Sequence, residues 1–105
     1  MDERAIYLKS EVLKALAQPT RLKILECLRG GERCICEIIP AVGGEQSNIS
    51  RHISLMQKGR LVTTRKDGVK VMVKVTDPRI FAILDQVGVF LRNQMSVQTR
   101  IMKSL

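Results

Sequence analysis

Residues 46–75 read QSNISRHISLMQKGRLVTTRKDGVKVMVKV, which combines a short amphipathic helix, a hairpin and most of the chain's positive charge. At 100° per residue, Ile49, Ile53 and Met56 gather on one side of a helix spanning 46–58, and Ser47, Arg51, Ser54 and Lys58 on the other. Gly59 ends it. Residues 61–66 and 69–75 alternate as strands, with Val69, Val71, Val73 and Val75 on one face and Lys70, Met72 and Lys74 on the other. Asp67-Gly68 between them is a strong two-residue turn signal. This stretch holds seven Lys/Arg against one acid, whereas residues 1–45 balance seven against seven and residues 76–105 carry four against two. Charge concentrated on a helix and the hairpin behind it is the footprint of a protein that docks on nucleic acid.

Toward the N-terminus, residues 5–17 read as a helix with Leu8, Val12, Leu13 and Leu16 as its apolar positions. Gln18-Pro19 interrupts it, and Pro19 is placed to open a second helix, 19–29, carrying Leu22, Ile24, Leu25 and Leu28. Gly30-Gly31 stops that helix. Cys34 to Val42 forms a short third helix or turn, with Ile35, Ile38, Ile39 and Val42 on one side. Pro40 is cheap there only if the helix starts near Cys36 or Glu37, so that the proline lies in the first turn, where amides lack partners anyway. Toward the C-terminus, Asp77-Pro78 caps and opens a last helix, 78–103. Its apolar positions Ile80, Ile83, Leu84, Val87, Leu91 and Met95, widened by Phe90, Val97 and Ile101, exceed what a small core needs. Such a stripe is expected to bury itself against a second subunit, with residues 5–17 and 78–103 as the dimerisation helices.

A chain of 105 residues is expected to be one domain, 1–105, whose core is aliphatic because aromatic residues make up only 3%. Charges at Asp2, Glu3, Arg4, Lys9 and Glu11 break any signal-peptide hydrophobic region, and no uncharged run is long enough to span a bilayer. Three cysteines without a secretory signal are expected to be free thiols in a reducing cytoplasm.

Helix, helix, short helix, turn, polar helix, basic hairpin and long helix is the order of a winged helix-turn-helix: mainly α, five helices with a two-stranded wing at 61–75. In that arrangement helix 46–58 enters the major groove of double-stranded DNA and the wing lies along the backbone or minor groove. Arg51 can be bidentate to guanine, and Asn48 or Gln46 can pair with adenine. Ser47 and Ser50 allow close approach, while Arg65, Lys66 and Lys70 neutralise phosphates. His52, the only histidine, lies at the edge of the apolar face and suits packing or a phosphate contact. No acid or nucleophile accompanies it at a spacing that supports catalysis, so no enzyme is expected.

Three motifs carry a family resemblance. The run Leu16-Ala17-Gln18-Pro19-Thr20-Arg21-Leu22-Lys23-Ile24-Leu25, then Gln46-Ser47-Asn48-Ile49-Ser50-Arg51-His52-Ile53, then Gly59-Arg60-Leu61-Val62, resembles the ArsR/SmtB family over about residues 8–90. Arg60 stands where that family usually has glycine. The resemblance implies a homodimeric repressor on an imperfect palindromic operator, released by a metal or metalloid. Glu32-Arg33-Cys34-Ile35-Cys36-Glu37 resembles the family's arsenic-binding motif, which makes Cys34 and Cys36 the inducer thiolates. No cofactor is required, and soft thiolates favour As(III), Sb(III), Cd(II) or Cu(I) as inducer. The family's third cysteine corresponds to Ile39, leaving Cys27, a thiol of the other subunit or water as a further ligand. With no histidine beyond residue 52, the C-terminal zinc site of other members is not expected.

Helical residues two apart point about 200° from each other. Chelation by Cys34 and Cys36 therefore needs extended or unwound backbone, and an ion that pulls the third helix out of shape could move the reading helix through Gly43-Gly44. Thiol-redox sensing, no sensing, and a small thiol metal carrier with a basic surface stay open as alternatives.

Overall fold

The computed structural model describes residues 1–104, apart from the side chains of Val97 and Ile101. Five helices run in order: α1 (Glu3–Leu16), α2 (Pro19–Cys27), α3 (Ile35–Val42), α4 (Gln46–Lys58) and α5 (Arg79–Ser104). Three strands, β1 (Arg33–Cys34), β2 (Val62–Asp67) and β3 (Lys70–Val75), complete the fold. Local chemistry sets the helix starts. Asp2 caps α1 by accepting from the amides of Arg4 and Ala5, and the Gln18 side chain accepts from Arg21 N at 2.8 Å ahead of Pro19. Asp77 accepts from the amide of Arg79 at 2.9 Å.

The wing has three strands rather than two. β3 lies in the middle, antiparallel to β2 on one side and to β1 on the other, with Cys34 opposite Met72 and Arg33 opposite Val73. Two residues of alternating burial are too short to show a period, which is why β1 escapes a sequence reading. The hairpin turn also sits one residue later than expected. Asp67 pairs with Lys70, so the loop is Gly68-Val69. Gly68 has φ 62°, and a turn with positive φ only at its first central residue takes glycine there and leaves the second to an ordinary residue such as Val69.

Ile24, Leu25, Leu28, Ile38, Ile49, Met56, Val62 and Val73 are fully buried and form the core where α2, α3, α4 and the wing meet. The third helix begins at Ile35, earlier than the expected Cys36 or Glu37, so Pro40 lies in its sixth position. The missing proline N–H leaves the carbonyl of Cys36 without its i+4 donor.

The end of α4 is unusual. Leu61 N donates to Met56 O and Arg60 N to Gln57 O, the paired bonds of a Schellman cap, and Arg60 occupies its left-handed position at φ 62°. Gly59, one residue earlier, marks a close approach instead: a Cβ there would lie 3.0 Å from Ala15 Cβ of α1.

Among the described residues, the start of α5 is what joins the body: Ile80 is buried, and Phe81 and Leu84 pack against the core. A compact chain of this length has a radius of gyration of about 13 Å. Here it is 16.8 Å, in an outline of 60 × 39 × 22 Å that a 26-residue helix stretches.

Candidate nucleic-acid interface

α4 keeps the two faces its sequence promises. Ile49, Ile53 and Met56 are buried, while Gln46, Ser47, Asn48, Arg51, Ser54 and Lys58 are exposed and Ser50 is half-buried. The Arg51 guanidinium donates to Asn48 Oδ1 at 3.0 Å, which fixes both side chains one turn apart on the outer face. Glu45, Ser47, Asn48 and Arg51 line a shallow concavity at the start of the helix. A guanidinium fork and a carboxamide are side-chain types whose donors and acceptors can match base edges.

His52 is different. It is 5% exposed, and its Nδ1 accepts from Arg21 Nε at 3.2 Å. Arg21 also donates to the carbonyls of Lys14 and Ala15, each at 3.4 Å, so one guanidinium joins α1, α2 and α4. Burial, and then the charges of Arg21 and Arg51, push the imidazole below its usual range. His52 is therefore part of the packing between α2 and α4, with its Nδ1 serving Arg21 as acceptor.

On the wing, Lys66 and Lys70 are exposed as a phosphate contact requires. Arg65 is exposed too, but it is engaged: its Nη2 and Nε donate to the Glu32 carboxylate at 2.6 and 2.9 Å. This pairing holds Arg65 above and Glu32 below their usual ranges. A phosphate must compete with Glu32 for that fork. Sequence reasoning missed the clamp because 33 residues separate its partners.

The cysteine motif reaches the same surface. Cys34 sits at the N-cap of α3 with φ −70° and ψ 145°, extended backbone of the kind chelation needs, and Cys36 lies two residues into the chain beyond it. Cys36 N donates to Cys34 Sγ at 3.1 Å, and Glu37 Oε1 accepts from Cys34 N at 3.2 Å. That amide, followed by Arg33, holds the Glu37 carboxyl below its usual range. The expectation of free thiols at these two positions is corrected: with Cα atoms 5.1 Å apart, Cys34 and Cys36 are joined as a disulfide. Extended backbone at Cys34 turns its side chain toward its neighbour, where helical backbone would have turned it away. Cys27 is free and half-buried, in a separate cleft with Arg33, Glu37, Ile38 and Ala41. No group of three or more His, Cys, Asp or Glu suited to a metal occurs among the described residues.

Among the described residues no helix is long and apolar enough to cross a membrane. The family profile described as "Bacterial regulatory protein, arsR family" matches residues 18–64, which span α2 to the middle of β2. The crystal structure of Mycobacterium tuberculosis Rv0081, an uncharacterized HTH-type transcriptional regulator, is 30% identical. It superposes with a TM-score of 0.83, over 93% of this chain and 99% of that one. The homodimeric winged helix-turn-helix DNA-binding domain of Mb0332 from Mycobacterium bovis is 29% identical, with a TM-score of 0.74 over 84% and 87% of the two chains. The arsenical resistance operon repressor of Staphylococcus xylosus is 39% identical over 66 residues, 63% of this chain and 64% of that protein. With a polar reading helix, a basic wing and these relatives, the chain belongs to the ArsR family of DNA-binding transcriptional regulators.

Proposed function

We propose that this chain is a cytoplasmic, homodimeric repressor that holds an imperfect palindromic operator and lets go when the Cys34/Cys36 pair is engaged by a thiophilic ion such as As(III), Sb(III) or Cd(II). The observation that carries the reading is the double membership of Cys34. Its sulfur meets that of Cys36, and its backbone belongs to the strand paired with β3 of the wing. A change at the sulfurs is therefore one hydrogen-bonded strand away from Lys70, and one residue beyond Arg33 from the Glu32–Arg65 clamp. This route to the DNA surface runs through the wing, beside the path through Gly43-Gly44. An ion can drive release only by its differential affinity for the two states, and couplings of about 1–3 kcal/mol are usual.

Thiol oxidation is a second reading, favoured by the disulfide itself. In that case the oxidised and reduced proteins differ in operator affinity with no ion present. A single titration of promoter duplex separates the two, using reduced protein with and without As(III), Cd(II), Zn(II) and a thiol oxidant. Release by the soft ions alone supports ion sensing, and release by the oxidant alone supports redox sensing. If Cys34→Ser and Cys36→Ser each respond to ion and oxidant as the parent does, neither reading survives.

A further inference from the structure

The positive charge of the wing is not all free. Arg65 pairs with Met72 of β3, so its side chain shares the outer face of the sheet with exposed Lys70 and Lys74. From there the guanidinium reaches over β3 to Glu32, just ahead of β1, and both Nε and Nη2 donate to that carboxylate. Its other end is not open either, because Nη1 stands 4.0 Å from Asp67 Oδ2. The Glu32 side chain is 27% exposed against 56% for Arg65, so the acid is the sheltered partner and the cation is folded onto it. Arg65, and more weakly Lys74, hold the Glu32 carboxyl below its usual range, and it keeps its charge at neutral pH. Glu32 belongs to residues 1–45, whose charges balance. Counting charges along the basic stretch alone therefore overstates what the wing offers a duplex.

We propose that Glu32 is a positioning residue for DNA binding, an internal stand-in for a phosphate that holds Arg65 over the sheet and away from the duplex backbone. The inference rests on the wing meeting DNA and is independent of the thiols. A DNA phosphate offers Arg65 the same bidentate oxygens that Glu32 already supplies. Exchange would leave a bare carboxylate facing an anionic backbone, so moving Arg65 to the DNA gains little over keeping it in place. Glu32 thereby sets how tightly the wing grips any duplex, whatever its sequence, because phosphate contacts fix register and carry no base information. Lys66, the next residue along β2 and exposed, stays outside the clamp.

The test is a titration of operator and random duplex over a range of salt, with the full-length protein and its thiols reduced. Glu32→Gln should tighten both duplexes alike, by about fivefold per protomer at about 0.1 M salt, and steepen the slope of log affinity against log salt by about 0.9 per protomer. Arg65→Ala in the parent should change affinity by less than about twofold, because its guanidinium is already engaged. Glu32→Gln combined with Arg65→Ala should return to the parent's affinity and slope. A gain in binding cannot come from a folding defect, and the double variant separates release of Arg65 from the loss of one negative charge. If Glu32→Gln gains as much in the Arg65→Ala background as in the parent, bulk charge explains the gain and the proposal falls. It also falls if Arg65→Ala alone costs as much as Lys66→Ala, since Arg65 then grips the backbone despite Glu32. A gain confined to operator would make Glu32 part of base reading and overturn it too. If Lys66→Ala is silent as well, the wing does not meet DNA and the reading beneath the proposal fails with it.

Discussion

The outward faces of α4 and α5 are both uncovered, and they are opposites. α4 shows water Gln46, Ser47, Asn48, Arg51 and Lys58, groups that lose nothing by being solvated. α5 shows Ile83, Val87, Phe90, Leu91 and Met95, from 43% to 64% exposed, and α1 adds Tyr7, Leu8 and Leu13 at 52% to 60%. Scattered apolar residues on a surface mean little, but a run of five at helical spacing marks a surface built to be covered. The polar face waits for an anion and the apolar face for a second hydrophobic surface. The same rule of burial, applied to two helices of one chain, therefore separates a face built to stay solvated from a face built to be covered.

The largest effect is expected from breaking the apolar side. Val87→Glu with Leu91→Glu places two charges where a partner helix must dehydrate them, and neither residue is buried within one chain. The variant should keep its helical content and sediment as a monomer. Because two half-sites can then no longer be held by one linked molecule, operator affinity should drop by about 100-fold or more. A variant that remains dimeric in sedimentation would show that the dimer uses another face.

An intermediate effect is expected on the polar side, and it divides by chemistry. Arg51→Ala removes a fork held by Asn48 and should cost about 1–3 kcal/mol on operator DNA, with little change on random duplex. Lys66→Ala should weaken both duplexes alike and lower the slope of log affinity against log salt by about 1. Equal losses on operator and random DNA for Arg51→Ala would remove it from base reading.

The contrast between the faces was readable from residue spacing, because both the 3.6-residue and two-residue periods survive folding here. Ile49, Ile53 and Met56 are inside α4 and the even-numbered lysines of β3 are outside, as their spacing requires. What stayed hidden depends on contacts between residues far apart in the chain, or on single backbone angles. β1 exists only because β3 offers it an edge. Arg65 looks like any wing cation until Glu32 is found beside it. Arg60 takes a left-handed angle that its side chain disfavours, and only the cap bonds to Met56 and Gln57 explain it. The thiol pair was legible as a motif, while its disulfide and the assignment of Cys27 to another cleft needed the fold.

The smallest expected effect lies where the two faces are tied together. Arg21 holds α1 through the carbonyls of Lys14 and Ala15, and holds α4 through His52 Nδ1. That acceptor exists only in the neutral ring, and burial with Arg21 and Arg51 nearby keeps the folded-state value below the usual one. An unfolded histidine takes its proton near pH 6.5. As pH falls below that point the unfolded chain gains a proton that the folded chain resists, so stability is complete above about pH 6.5 and declines below it. One such group contributes a slope of at most about 1.4 kcal/mol per pH unit. Urea unfolding at pH 7.5, 6.5 and 5.5, at one fixed protein concentration, should show this decline. His52→Asn offers Arg21 a carbonyl acceptor that does not titrate, and its stability should stay nearly flat over the same interval. If parent and variant decline in parallel, the acid response belongs to the carboxylates of Glu26, Glu32, Glu37 and Asp77 rather than to the seam between the reading helix and α1.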